Sequence, residues 1–209
     1  MITTIKATFG VFLVLAMAIP VSASVITSPN STYLSETTLI NPTIYDGEFV
    51  SSVAVNSALT VSFSPGSLWR PSAPYPSWGT PGSSLLLPFS GGNFYNNLTI
   101  NFSEDASTFG FDVESYPGMT KAEKFTVDFF SGQNGTGTLL DQVTTTLTGW
   151  GFFGVQDSAI GSVKISDPKD YTFLVSDMRV APVPDPSTSL LLGSGLLGLG
   201  LVFRRRLAR

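Results

Sequence analysis

The chain has 209 residues, 11 basic and 15 acidic side chains, a formal net charge of −4, and neither cysteine nor histidine. Those two absences exclude Ser-His-Asp and Cys-His catalysis, imidazole bases, disulfide staples and the common zinc sites. Enzymatic chemistry, if any, is left to carboxylates, lysine and tyrosine.

Met1 to Ala23 places Lys6 ahead of an apolar segment from Phe9 to Ile19, then Pro20 and the small-residue site Val21-Ser22-Ala23. That order predicts a secretory signal peptide cleaved after Ala23, with a retained N-terminal anchor as the alternative. The apolar segment is short for a membrane span. Residues 24–182 then form one body, long enough for a single domain with its own core. Removing Lys6 and the four C-terminal arginines leaves six basic against fifteen acidic residues, a balance that argues against nucleic acid as a partner.

The body has the texture of an all-β protein. Charged residues are only 12% of the chain, and short apolar alternations recur between Gly, Asn, Ser and Pro. A first strand is expected over Tyr33 to Ile40 after a turn at Pro29-Asn30, and two more over Phe49–Val55 and Ala58–Phe63. Residues 64–88 carry Pro65, Pro71, Pro74, Pro76, Pro81 and Pro88, a density that predicts one irregular loop. Beyond it, Leu98/Ile100/Phe102, Phe109/Phe111/Val113 and Phe125/Val127/Phe129 alternate with polar residues, as half-buried antiparallel strands require. A turn over Ser131–Gly137 leads into Leu139–Leu147, and Trp150–Val155, Ile160–Ile165, Tyr171–Val175 and Met178–Val180 complete a set of about ten strands. Such a set predicts an antiparallel two-sheet sandwich with little helix in the body.

Three groups of residues invite a chemical reading. Trp69, Tyr75 and Trp78 lie in the Pro-rich stretch, where exposed rings could stack on sugars or fold down as a plug over one end of the body. Glu104-Asp105 and Asp112/Glu114 offer carboxylate pairs of the kind a glycosidase needs, though acids on a polar strand face are ordinarily just solvated. Asn30, Asn97, Asn101 and Asn134 each begin an N-x-S/T sequon.

The tail reads Val183-Pro184-Asp185-Pro186-Ser187-Thr188, then an uncharged run from Ser189 to Phe203 containing Gly193, Gly195, Gly198 and Gly200, then Arg204, Arg205, Arg206 and Arg209. As a helix the run is about 22 Å long against a hydrocarbon core of ~30 Å, so it spans only with help from snorkelling arginines. The arginines place the C-terminus in the cytoplasm. Gly193-Ser194-Gly195-Leu196-Leu197-Gly198 also matches a dinucleotide fingerprint, but neither a preceding strand nor a downstream acid supports that match.

Taken in order, motif, Gly-interrupted apolar helix and Arg cluster resemble the PEP-CTERM sorting signal of exosortase-bearing bacteria, with Asp185 where the family usually has Glu. The resemblance covers 183–209. It implies recognition by exosortase, a membrane-embedded cysteine transpeptidase, at Val183, Pro184, Asp185 and Pro186, and processing during export to the envelope. Thr108–Asp112, Gly151–Val155 and Phe173–Val180 further resemble the jelly-roll or lectin-like bodies that such tails carry, with Asp177-Met178 in place of the usual closing Asp-Asp. By that likeness Asp46, Glu48 and Asp177 form a candidate calcium site, since calcium collects several oxygens; the alternative is three separate solvated acids. The expected protein is an exported, non-catalytic structural or adhesive component of the cell envelope or extracellular matrix. A carbohydrate-binding module that takes up exopolysaccharide is the alternative.

Overall fold

The computed structural model describes residues 24–42, 45, 47–71, 86–115, 122–167 and 172–183. The segments in which the signal peptide and the C-terminal span are expected lie outside them, as do Asp46, Tyr75 and Trp78. Among the described residues no helix is long and apolar enough to cross a membrane.

The described residues are nearly all β, and every paired strand is antiparallel. In chain order they are β1 (Ser24–Ile26), helix α1 (Ser31–Glu36), β2 (Thr38–Leu39), β3 (Phe49–Val50), β4 (Ser52–Ala54), β5 (Thr60–Ser64), β6 (Ser67–Trp69), β7 (Leu87–Ser90), β8 (Asn93–Phe94), β9 (Asn97–Ser115), β10 (Glu123–Phe130), β11 (Leu139–Leu147), β12 (Gly151–Ser166) and β13 (Phe173–Pro182).

Two long strands, β9 and β12, organise the rest. Their register shifts between Gln156 and Ser162, opposite Ala106, and there the pair passes from one leaf of sheet to another. In the first leaf the order is β4-β5-β9-β12-β10-β11, built on Asn97–Phe102 and Ser162–Ser166. In the second it is β2-β13-β9-β12-β1, built on Thr108–Val113 and Gly151–Gln156. The inward side chains of both leaves join one core, in which Phe125 of β10 meets Phe173 of β13 edge to face at 5.9 Å between centroids. Phe102, Phe109, Phe111 and Phe153 continue the ring contacts along the inside of the bend. Aromatic rings bury large areas each, so a core of this kind holds a body of this size without disulfides.

Across the second leaf, Ala181, Thr108, Gln156 and Ser24 stand in one row. With neighbouring strands ~4.8 Å apart, the first residue of β1 and the end of β13 are roughly 14 Å from each other on the same rim.

A four-stranded sheet, β3-β6-β7-β8, leans on the second leaf. It attaches through reciprocal backbone hydrogen bonds between Leu86 and Val175 of 3.0 and 2.8 Å. Leu87 and Trp69 pack with Leu174 and Trp150 on the outer side of that leaf.

Several expectations change. The strand expected over Tyr33–Ile40 is a one-and-a-half-turn helix followed by two residues of strand. Asn30 caps the helix, its side chain accepting from Tyr33 N at 2.9 Å, which satisfies a helix-end donor that a strand would lack. The irregular loop expected over 64–88 has strands at both described ends, and Pro88 lies within β7; residues 72–85 lie outside the described residues. Phe109–Val113 continues from Leu98–Phe102 in one strand, and Ile160–Ile165 from Trp150–Val155 in another. The turn into Leu139–Leu147 is as expected, closed by Ser131 N donating to Thr138 O at 3.0 Å.

Candidate functional site

The outer face of the second leaf is where polar chemistry collects. Outward from β9 come Gly110, Asp112 and Glu114, and in register beside Asp112 stand Ser176 of β13 and Phe152 of β12. Between Ser176 and Arg179 the β13 register slips, and Asp177 takes a left-handed backbone with φ 46°. Such a bulge re-aims a side chain, and aspartate is among the few L residues that adopt this backbone readily. It turns Asp177 outward beside Ser176 while Met178 returns to the core.

Helix α1 closes one side of this patch. Arg179 fastens it: Nε donates to Thr37 Oγ1 at 3.0 Å, and Nη2 donates to the carbonyls of Leu34 and Thr37 at 3.0 and 2.9 Å. A cation on carbonyls at a helix C-terminus offsets their uncompensated partial charge. Tyr33 then lies over Gly110, where an added Cβ would come within 2.6 Å of its Oη and 2.7 Å of Phe152 Cζ, so only glycine admits the ring. The Tyr33 and Phe152 rings meet edge to face at 5.4 Å.

The result is a pocket of about 220 Å³ lined by Pro29, Tyr33, Leu34, Asp112, Phe152, Asp177 and Arg179. Tyr33 is only 4% exposed, and its hydroxyl has no hydrogen-bond partner among the described residues. Burial pushes the Tyr33 hydroxyl well above its ordinary range, opposed by Arg179. Burial, and then the neighbouring Asp177 charge, push the Asp112 carboxyl up to about 6. Burial also raises Glu114, whose Oε2 has no partner among the described residues.

The residues singled out by sequence fall in different places. Trp69 is half-buried in β6, its ring near Phe89 at 6.1 Å and Phe94 at 5.7 Å; Phe49 and Phe94 flank that cluster and are 52% and 47% exposed. The rings are tilted by 40° and 53° to Trp69, so they form a faceted cluster rather than a flat platform. Glu48 accepts from Tyr45 N at 2.8 Å in the turn before β3, whereas Asp177 sits beside α1. Among the described residues no three acids gather to hold a metal. Glu104 and Asp105 are exposed at the bend, beside a recess with Ser103 and Pro182.

Three of the four sequon asparagines have structural uses. Asn30 is the helix cap. Asn101, 7% exposed, accepts from the backbone N of Asn134, and Asn134 itself adopts a left-handed φ of 57° in the turn after β10.

Tyr33, Phe152 and Arg179 were not marked by the sequence. Their one advance signal is the capping asparagine, which places a helix and therefore Tyr33 against the sheet.

Fold and patch together define an antiparallel all-β protein with a small pocket of mixed apolar and charged lining outside its core. No known family profile and no curated protein matches the chain. Among solved structures it is similar to the K2 cleaved adhesin domain of Lys-gingipain, at 14% identity and a TM-score of 0.40 over 70% of this chain and 98% of that one.

Proposed function

We propose that this chain is an exported component of the cell envelope or extracellular matrix, sorted through a PEP-CTERM signal and non-catalytic, with a structural or adhesive role. The two leaves are read as a sandwich of jelly-roll or lectin-like type. The observation that carries the proposal is the tail itself: Val183-Pro184-Asp185-Pro186, an uncharged run to Phe203, and the cluster Arg204, Arg205, Arg206 and Arg209, in that order. A Pro-bounded acidic motif gives an extended recognition segment, the apolar run a membrane stop, and the arginines its cytoplasmic anchor. The partner implied is an exosortase-type transpeptidase.

Intact mass and fractionation of the native protein, from its host with exosortase present and deleted, test this. A mature chain starting at Ser24 and lacking residues beyond about Pro186 only when exosortase is present is the expected result. A chain that keeps Arg209 in the membrane of both strains overturns it.

A second reading, a carbohydrate-binding module, draws on the pocket between α1 and the second leaf and on the half-exposed rings around Trp69. Co-sedimentation of the native protein with the host's exopolysaccharide tests that reading as a whole.

A further inference from the structure

We infer that the free edge of β11 pairs antiparallel with the same edge of a second copy of this chain, about a two-fold axis at Thr145, so that two first leaves become one continuous sheet. The inference stands on the fold alone and is independent of how the tail is processed.

The sheet edges are unequal. A free edge is a row of unpaired N–H and C=O groups, and proteins blunt such rows by keeping edge strands short, charged or bulged. Here the outermost strands β1 and β4 are three residues long, and β2, β3 and β8 are two. β11 runs for nine, and among the described residues it pairs with β10 alone. Its one charge, Asp141, and the register shift opposite Phe129 and Phe130 both lie at its beginning. From Gln142 to Leu147 it carries neither charge nor proline, which leaves about 20 Å of backbone open.

Burial also stops short at this edge. Phe125, Val127 and Phe129 of β10 are fully buried, whereas Val143, Thr145 and Leu147, one strand further out on the same face, are half-buried. Those three line a groove of about 290 Å³ with Val25, Ile26 and Phe153. A further strand beside β11 covers them.

The strand suits its own copy. An axis at Thr145 sets Val143 opposite Leu147 on the inner face and Thr144 opposite Thr146 on the outer one, apolar to apolar and hydroxyl to hydroxyl. Thr144 already meets Thr126 at 3.2 Å, so the row of hydroxyls continues across the joint. Asp141 falls opposite Gly149, beyond the paired stretch, and meets no like charge. A joint about 20 Å long buries less than the ~1,200 Å² of a standard interface, so association is expected in the micromolar range rather than as a permanent dimer.

The chain has no cysteine, so introduced ones report cleanly. The test oxidises the full 209-residue protein in detergent, carrying either Thr145→Cys or Gln142→Cys, with copper phenanthroline and dissolved oxygen. Opposed Cα atoms of an antiparallel pair are about 4.5–5.5 Å apart, within disulfide reach, whereas positions 142 of the two copies are about 20 Å apart. Thr145→Cys is expected to give a covalent dimer and Gln142→Cys to stay monomeric.

Charges at the exposed Thr144 and Thr146 then check the register. Adding Thr144→Glu with Thr146→Glu sets glutamates opposite each other and should slow the cross-link about tenfold. Thr144→Lys with Thr146→Glu sets lysine opposite glutamate and should leave it at least as fast as before. Because both pairs change the same two positions, misfolding would affect them alike.

Equal cross-linking of the two cysteine variants, or equal effects of the two charge pairs, overturns the inference. So does a Thr145→Cys protein that stays monomeric across the micromolar range, the outcome if another protein's strand or another stretch of this chain takes the edge.

Discussion

The two halves of β9 carry the same kind of alternating sequence and reach opposite ends. In the first half, Leu98, Ile100 and Phe102 face the core, and beyond Asn101, which the turn after β10 covers, the outward surface of the first leaf is Thr and charged side chains in water, such as Thr144 and Lys164. In the second half Phe109, Phe111 and Val113 face the core just as firmly. Of its outward residues, Gly110 lies under Tyr33 of α1, Asp112 lines the pocket beside it, and Glu114 stands next to Leu174, which packs against the small sheet. An inward face thus follows from pattern alone, whereas an outward face becomes a site only where another element is laid across it.

The largest effect that sharpens this contrast belongs to the shared inside. Phe111→Ala, which empties the ring stacked 6.0 Å from Phe153, should cost about 3–5 kcal/mol in denaturant unfolding. Next is the contact that makes the second half different. Gly110→Val drives a side chain into Tyr33 and Phe152 and should cost about 1–3 kcal/mol. Proteolysis should then cut first in α1, and equal protection of α1 in parent and variant would refute its dependence on Gly110.

A subtler difference is one of pH. Asp112, raised from 3.8 to about 6 by burial and by Asp177, is protonated in the folded state over a range where the unfolded chain has lost that proton. Folding therefore takes up a proton there, and stability from this group falls as pH rises through that window. The gap in melting temperature between Asp112→Asn and parent should widen in the variant's favour from pH 4 to pH 6, with Glu114, also raised by burial, left in both proteins. A constant gap would mean that Asp112 is better solvated than its position indicates. The smallest effect belongs to the open face of the first leaf: Thr126→Ala breaks a 3.2 Å hydroxyl contact with Thr144 and should stay within about 0.5 kcal/mol.

How much of this was legible beforehand follows from the same contrast. The apolar triplets of β9 and β10, and the limits of β11, were plain because period-two patterning survives any tertiary context. The continuity of β9 was not: the inward residues are even-numbered to Ala106 and odd-numbered from Phe109, and a change of parity inside one strand looks like a break between two. Helix α1 is six residues long, too short to show a 3.6-residue period, so its cap was the only mark it left. The small sheet hid behind its prolines. The pocket was hidden most completely, since Arg179 reaches Leu34 across 145 positions of sequence and no local spacing encodes such a meeting. Whether Asp46 joins Glu48, and what Tyr75 and Trp78 do, falls outside the described residues.

The row that places Ser24 and Ala181 on one rim sets an orientation. Any surface that holds the chain just beyond Val183 holds the body by that rim. Asp112 lies four residues further along β9, roughly 13 Å away, and the reciprocal pair of Leu86 and Val175 lies further still. Relative to such a surface the pocket and the ring cluster would lie on the far side, while the bend and its exposed acids Glu104 and Asp105 would face it. Near an anionic surface those acids would repel it, and the body would stand off rather than lie flat.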